Sequence, residues 1–313
     1  CMDIEQAKHT LDSGGLVAIP TETVYGLAAN ATDADAVARI FSVKNRPFFD
    51  PLILHIPSLD MMETYSQSGL PPLAMQLAER FMPGPLTFVL PKADSVPDIV
   101  TSGMKSVAMR IPNHPMTLDL LRSLDYPLAA PSANPFGYVS PTSAAHVRQQ
   151  LGGAIDGIID GGPCAVGLES TIVSFLEMQP LVLRLGGTPL EAIEDCLHMK
   201  LKRQTSSSQP KAPGQLSSHY SPGRVVIPHP HGCDWQAIDW NLTTDDAISW
   251  LPQSNASQSF TQSGDDREGA QSLFHLLRSV DNGKTGPVHV ELAPDKGLGK
   301  AINDRIKRSA HQA

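Results

Sequence analysis

The sequence predicts an α/β protein: a large domain around a substantially buried sheet, a long polar linker, and a smaller second α/β domain. Three observations carry that prediction. Short apolar runs alternate with amphipathic stretches over the first 200 residues. Between 203 and 223 the composition shifts to Gln, Ser, Pro and Gly with almost no apolar side chains. Strand and helix patterns then resume, and 313 residues at 41% hydrophobic hold enough apolar material to bury both units.

The elements follow in order. Ile4, Ala7, Lys8 and Leu11 give an amphipathic start, followed by a strand at 16–19, a helix over 34–41 and an apolar run at 52–56. Further strands are expected at 86–90, 107–111, 127–130, 170–175 and 181–185, with helices near 73–81, 116–124 and 143–151. These define a first domain over 1–202, a linker or lid over 203–223 and a second domain over 224–313. That second domain reads as a strand at 225–227, an acidic helical piece, a polar stretch at 253–266, then a helix with Ala270, Leu273, Phe274 and Leu277 on one face. A strand at 288–292 and a helix at 299–308 complete a βαβα order, which is Rossmann-like. Lys296, Lys300, Arg305, Lys307 and Arg308 read as one solvated helix face.

Composition excludes several classes. No apolar run approaches the roughly 18 residues of a membrane span, and the amino end shows no basic flank leading into an apolar core, so the expected compartment is the cytoplasm. The cysteines at 1, 164, 196 and 233 form no C-x-x-C pair, which argues against a zinc cluster and a disulfide framework. Residues 1–200 carry 12 Lys and Arg against 21 Asp and Glu, and the remainder 12 against 11. An acidic chain is a poor match for gripping a nucleic-acid backbone, although a few cations can still surround one small polyanion.

Several segments carry side chains suited to chemistry. Pro20-Thr21-Glu22-Thr23-Val24-Tyr25-Gly26-Leu27 sets two hydroxyls and a carboxylate at a strand end, where open α/β sheets place ligands. The same segment also reads as a strand-to-helix turn with Thr as the cap. Lys44-Asn45-Arg46-Pro47 offers two cations able to hold an anion on an extended backbone, and His55 ends the nearby apolar run. Arg110 and Arg184 each interrupt an apolar strand, where a guanidinium must be paired or face a cavity. With Lys44 and Arg46 they make four cations in an acidic domain, a concentration that suggests a phosphate site.

The loop from Ala130 through Ser132, Asn134 and Ser140 to Thr142 is rich in small hydroxyl and amide groups that let backbone amides approach a ligand. It is not a P-loop, because no G-x-x-x-x-G-K-[ST] occurs. Gly167-Leu168-Glu169-Ser170-Thr171 does not meet G-x-S-x-G, so a serine hydrolase is not expected. Pro213-Gly214 and Ser218-His219-Tyr220-Ser221 put an imidazole and a phenol in the linker, which suits a lid.

In order and spacing these segments, together with Leu183-Arg184-Leu185-Gly186 and the stretch from Gly297 to Arg305, resemble the L-threonylcarbamoyladenylate synthase family in its long two-domain form. The resemblance runs from about Gly14 to Arg308. It implies a YrdC-like twisted mixed sheet and a reaction that joins L-threonine, bicarbonate and ATP into threonylcarbamoyl-AMP and pyrophosphate. That product would feed a downstream tRNA threonylcarbamoyltransferase complex making N6-threonylcarbamoyladenosine, with no strong direct nucleic-acid binding by this chain. Magnesium is implied as a companion of the ATP phosphates, with no dedicated metal cage.

By the same resemblance Thr23, His55, Arg110, Ala130 and Ser170 occupy threonine-binding places, with Arg110 the partner of the carboxylate. Arg46, Asp50, Ser106, Ser132, Asn134, Ser140, Arg184, His219 and Tyr220 occupy ATP-binding places, and Lys44 with Arg46 is the expected catalytic pair. Three departures stand out: Asp50 where the family commonly has Asn, Gln215-Leu216-Ser217-Ser218 where basic residues usually precede the His-Tyr pair, and Ser174 where Asp is frequent. Two alternatives stand beside this reading: a non-catalytic RNA-binding or ribosome-associated factor, disfavoured by the acidic charge, and a carbamoyl-adenylate-forming domain of hydrogenase maturation, whose zinc-finger cysteine pairs are absent from this sequence.

Overall fold

The computed structural model describes residues 1–204, 212–213, 220–241 and 243–310. Helix α1 (Ile4–Asp12) begins at a capping box, the Asp3 carboxylate accepting from the Gln6 amide while the Gln6 side chain accepts from the Asp3 amide. Strands β1 (Val17–Ile19) and β2 (Gly26–Asn30) follow, then α2 (Ala34–Lys44), β3 (Ile53–His55), α3 (Leu59–Tyr65), α4 (Pro72–Phe81), β4 (Leu86–Pro91) and α5 (Asp98–Thr101). Next come β5 (Ser106–Arg110), α6 (Pro115–Arg122), β6 (Leu128–Ala129), α7 (Ala144–Leu151), β7 (Gly157–Ile158), β8 (Thr171–Ser174), β9 (Leu181–Arg184), α8 (Leu190–Leu197) and β10 (Lys202–Arg203).

The ten strands form one mixed sheet in the order β10-β9-β8-β4-β5-β3-β6-β2-β1-β7. Parallel pairs such as β3 with β5 and β4 with β8 alternate with antiparallel ones such as β4 with β5. Helices cover its faces, so strands such as β5 are buried along their whole length, Arg110 included. Phe88 on β4 meets Phe175 edge-to-face at 5.0 Å, and each buried aromatic of this kind contributes about 2 kcal/mol of transfer free energy.

Beyond the linker, β11 (Val226–His229), β12 (Asp246–Ser249), β13 (Gln258–Ser259), α9 (Asp266–Ser279), β14 (Val288–Glu291) and α10 (Gly299–Ala310) build a second unit. Its four strands are all parallel, in the order β11-β14-β12-β13. Ala270, Leu273, Phe274 and Leu277 of α9 are buried, as their helical spacing requires.

The two units are bound along α9 and α10. Arg278 of α9 donates to the Ser140 carbonyl, to the Val139 carbonyl and to Gln150 Oε1 at 2.9 Å, with its guanidinium over the Tyr138 ring. Lys300 of α10 pairs with Glu191 at 2.6 Å. Gly167, at φ +76°, admits the α9 backbone, since a Cβ there would lie 2.6 Å from Gln271 Cα.

Four sequence expectations are corrected. The segment after β1 leads into β2 and not a helix, so neither Thr21 nor Thr23 is a helix cap; Val17 pairs with Ala28 across the turn. Lys44 ends α2 and Asn45 is left-handed at φ 51°, so the Lys44-to-Arg46 stretch is a helix C-cap and not extended chain. The acidic stretch before β12 holds turns and no helix among the described residues, because Asp245 folds back to accept from the Asn241 amide. The last helix is not a solvated basic face: Arg305 is completely buried and Arg308 nearly so.

Candidate active site

A cleft opens where the carboxyl ends of β1, β3 and β5 meet β8, β9 and the start of β2. Its floor is the turn after β1. The Thr21 hydroxyl donates to the Val24 carbonyl at 2.6 Å and lies 2.8 Å from the Thr23 hydroxyl, which fixes Thr23 facing inward. Gly26 continues that wall; a Cβ there would sit 3.3 Å from the Cβ of Ala130, so the lack of a side chain keeps the two strands close.

β3 and β5 run parallel in a register that pairs His55 with Arg110. Arg110 Nη1 donates to Thr23 Oγ1 at 2.8 Å, and its Nη2 lies 2.6 Å from Glu22 Oε1. Its Nε has no hydrogen-bond partner among the described residues, leaving a buried cationic donor at the cleft wall. Burial, then the neighbouring Arg110 charge, pushes His55 down to about 3, so its imidazole is neutral at physiological pH.

On the opposite wall Arg184 at the end of β9 is held by three hydrogen bonds. Its Nε donates to the Ser170 carbonyl at 3.0 Å, Nη2 to Ser170 Oγ at 3.1 Å, and Nη1 to the Pro213 carbonyl at 3.1 Å. Ser170 Oγ is also 2.7 Å from Thr87 Oγ1. Burial lowers Arg184 to about 10, which still leaves it charged at neutral pH. The third cation, Arg46, lines the cleft while its Nε and Nη2 brace the carbonyls of Asp50 and Pro51, and Nη2 lies 2.8 Å from Asp50 Oδ2. Burial raises the Asp50 carboxyl and Arg46 opposes the rise.

Thr23, His55, Arg110, Ala130 and Ser170 therefore come together in this cleft, joined by Arg46, Ser132, Arg184 and Tyr220. Asp50, Ser106, Asn134 and Ser140 are buried but do not line it. Lys44 does not line it either. Its ammonium, pulled well below its ordinary pKa by burial and then by Arg46, donates to the Ser132 carbonyl at 2.5 Å and to that of Asn134, which shapes the loop from beneath. His219 lies outside the described residues.

Three contributors lay outside the sequence-based set. Thr87 was signalled only as a hydroxyl within an apolar strand. Glu169 lines the cleft, its Oε1 accepting from Ser140 Oγ at 2.6 Å and its Oε2 3.1 Å from Arg305 Nε of α10. Arg305 belongs to the second domain, and its guanidinium stacks over the Tyr220 ring at 5.4 Å.

Fold and cleft together define a two-domain α/β protein of the YrdC-like class with a buried, cationic small-molecule site. The Sua5_yciO_yrdC family model, described as telomere recombination, matches residues 9–186, and the threonylcarbamoyl-AMP synthase C-terminal domain matches residues 188–311. The chain belongs to the threonylcarbamoyl-AMP synthase family. The threonylcarbamoyl-AMP synthase of Pyrococcus abyssi is 39% identical over 320 residues, covering 98% of this chain and 94% of its own. That of Bacillus subtilis is 37% identical, covering 98% and 92%. The crystal structure of P. abyssi Sua5 complexed with L-threonine superposes with a TM-score of 0.90 at 38% identity, covering 98% of this chain and 94% of that one.

Proposed function

We propose that this chain condenses L-threonine, bicarbonate and ATP into threonylcarbamoyl-AMP and pyrophosphate. The observation that carries the reading is the convergence of Arg46, Arg110 and Arg184 on one cleft beside the hydroxyls of Thr23 and Ser170. Such a site neutralises a polyanion next to a small hydroxy amino acid.

The threonine amine and bicarbonate give a carbamate and water. A carbamate oxygen then attacks the α-phosphorus in line, the new P–O bond forming as the bond to pyrophosphate breaks. This step asks for positioning and charge neutralisation and not for a protein nucleophile. The unpartnered Nε of Arg110 suits the threonine carboxylate, and a neutral His55 adds no charge to repel the incoming amine. Arg184 and Arg46 suit the phosphates. Lys44 supports them by fixing the Ser132–Asn134 loop, and Asp50 by bracing Arg46.

Magnesium would enter as part of the nucleotide substrate. Glu169 is the carboxylate lining the cleft among the described residues, and both of its oxygens are already engaged by Ser140 and Arg305, which suits a metal held through phosphates. The product is a hydrolysable mixed anhydride, so closure by Pro213 and Tyr220 serves to exclude water. Its consumer is a transferase acting on tRNA adenosine. The alternative of an RNA-gripping factor is disfavoured because Arg46, Arg110 and Arg184 are all less than 10% exposed, too deep to reach a polynucleotide backbone.

The test is pyrophosphate release with ATP, threonine, bicarbonate and magnesium. Release that needs threonine supports the reading, and an unchanged rate without threonine refutes it.

A further inference from the structure

The deepest cation of the second domain has no role in the reaction as described above. Arg305 is fully buried, and its Nε reaches across the domain boundary to Glu169 Oε2 at 3.1 Å. Its Nη1 pairs with Asp304 at 3.0 Å, and Asp304 is held in turn by Arg308 at 2.9 Å, so the guanidinium is fixed from its own helix. Nη2 has no hydrogen-bond partner among the described residues. The guanidinium face covers the Tyr220 ring, which also stacks on Phe274 of α9 at 5.5 Å. Glu169 and Tyr220 both line the cleft.

A carboxylate is an awkward neighbour for a polyphosphate. Burial alone would raise the Glu169 carboxyl; Arg305, then Arg184 and the Ser140 hydroxyl, outweigh that and hold it below its ordinary range, so it is ionised. Its negative charge is tolerable in an anion-binding cleft only while the second domain neutralises it.

We propose that Arg305 is a positioning residue of the nucleotide half of the cleft: it cancels the Glu169 charge and seats Tyr220, so that the site is complete only with the second domain docked. This rests on the proposed synthase reaction, and it gives the second domain a part in ATP binding. Arg305 acts through Glu169 and Tyr220 and need not touch the reacting atoms.

The test uses the full chain and steady-state pyrophosphate release, with ATP and threonine varied separately. Arg305→Met should raise the ATP KM about tenfold or more through like-charge repulsion while moving the threonine KM less than about threefold. Adding Glu169→Gln, which removes the stranded charge but keeps the shape, should bring the ATP KM back toward that of the parent. Equal changes in both KM values, or a double variant no better than Arg305→Met, would overturn the proposal, since a packing defect is not repaired by neutralising Glu169. If Arg305→Met does not fold, the neutral Arg305→Gln takes its place: an ATP KM raised with threonine KM unchanged, and restored by Glu169→Gln, supports the role, and a loss of kcat alone overturns it. An inactive parent chain would instead count against the synthase reading itself.

Discussion

Arg110 and Glu22 form a buried pair at the cleft, Nη2 to Oε1 at 2.6 Å, while the Arg110 Nε is buried with no hydrogen-bond partner among the described residues. The geometry separates two tasks on one side chain: one edge is anchored by Glu22 and Thr23, and the remaining donor is left for a ligand.

Glu22→Ala strands a buried guanidinium, which costs on the order of 3 kcal/mol or more. Urea unfolding should show the loss, and threonine KM should rise together with it. Thr23→Val removes the hydroxyl's contacts with Arg110 and Thr21 but leaves the ion pair, and should cost less, about 1–2 kcal/mol. A Glu22→Ala variant as stable as the parent would show that the pair does not orient Arg110.

Arg184→Ala removes the tether between β9 and Pro213 as well as a phosphate-suited charge. ATP KM should rise more than threonine KM, by about tenfold against about threefold if the charge contributes about 0.7 kcal/mol more to the nucleotide than to the amino acid. Equal rises would remove the division of labour between the two walls.

Gly186→Ala places a Cβ 2.2 Å from the Glu169 carbonyl oxygen and 2.4 Å from Ser170 C. Backbone must move, and it moves the two residues that face the cleft. Activity should fall by about tenfold or more, with a thermal midpoint several degrees lower if the clash costs about 1–3 kcal/mol. Normal kinetics in this variant would mean that the Glu169–Ser170 backbone tolerates displacement.

His55 titrates near 3 in the fold because of burial and then Arg110, and His146 near 4 because of burial, Arg278 and His275, against an ordinary 6.5. The unfolded chain binds more protons below that ordinary value. The associated stability is therefore complete above about pH 6.5 and is lost as pH falls, at up to about 1.4 kcal/mol per pH unit for each group. Urea midpoints near pH 7.5 and pH 5 should differ less in His55→Asn than in the parent; an equal difference would mean that His55 accepts its proton within the fold.

Much of this was legible in the sequence for a physical reason. Arg110 and Arg184 stand out because a charge inside an apolar strand must answer to something nearby in space. β2 was hidden because Gly26, Ala28, Ala29 and Asn30 have weak strand propensity, and its place in the sheet is decided by pairing with β1 and β6. Arg305 was hidden more deeply. Its helix has the charge pattern of a solvated face, and only the fold brings Glu169, 136 positions earlier, against it. Lys44 shows the converse: chosen as a phosphate ligand from its neighbour Arg46, it is turned by the helix end toward the Ser132 and Asn134 carbonyls.

The most direct test of the central claim is to supply carbon-13 bicarbonate with ATP, L-threonine and magnesium and to identify the nucleotide product by mass. The account requires an adenylate that carries both the label and the threonine, formed only when all three substrates are present. Pyrophosphate released alongside AMP or an adenylate without the label would contradict it.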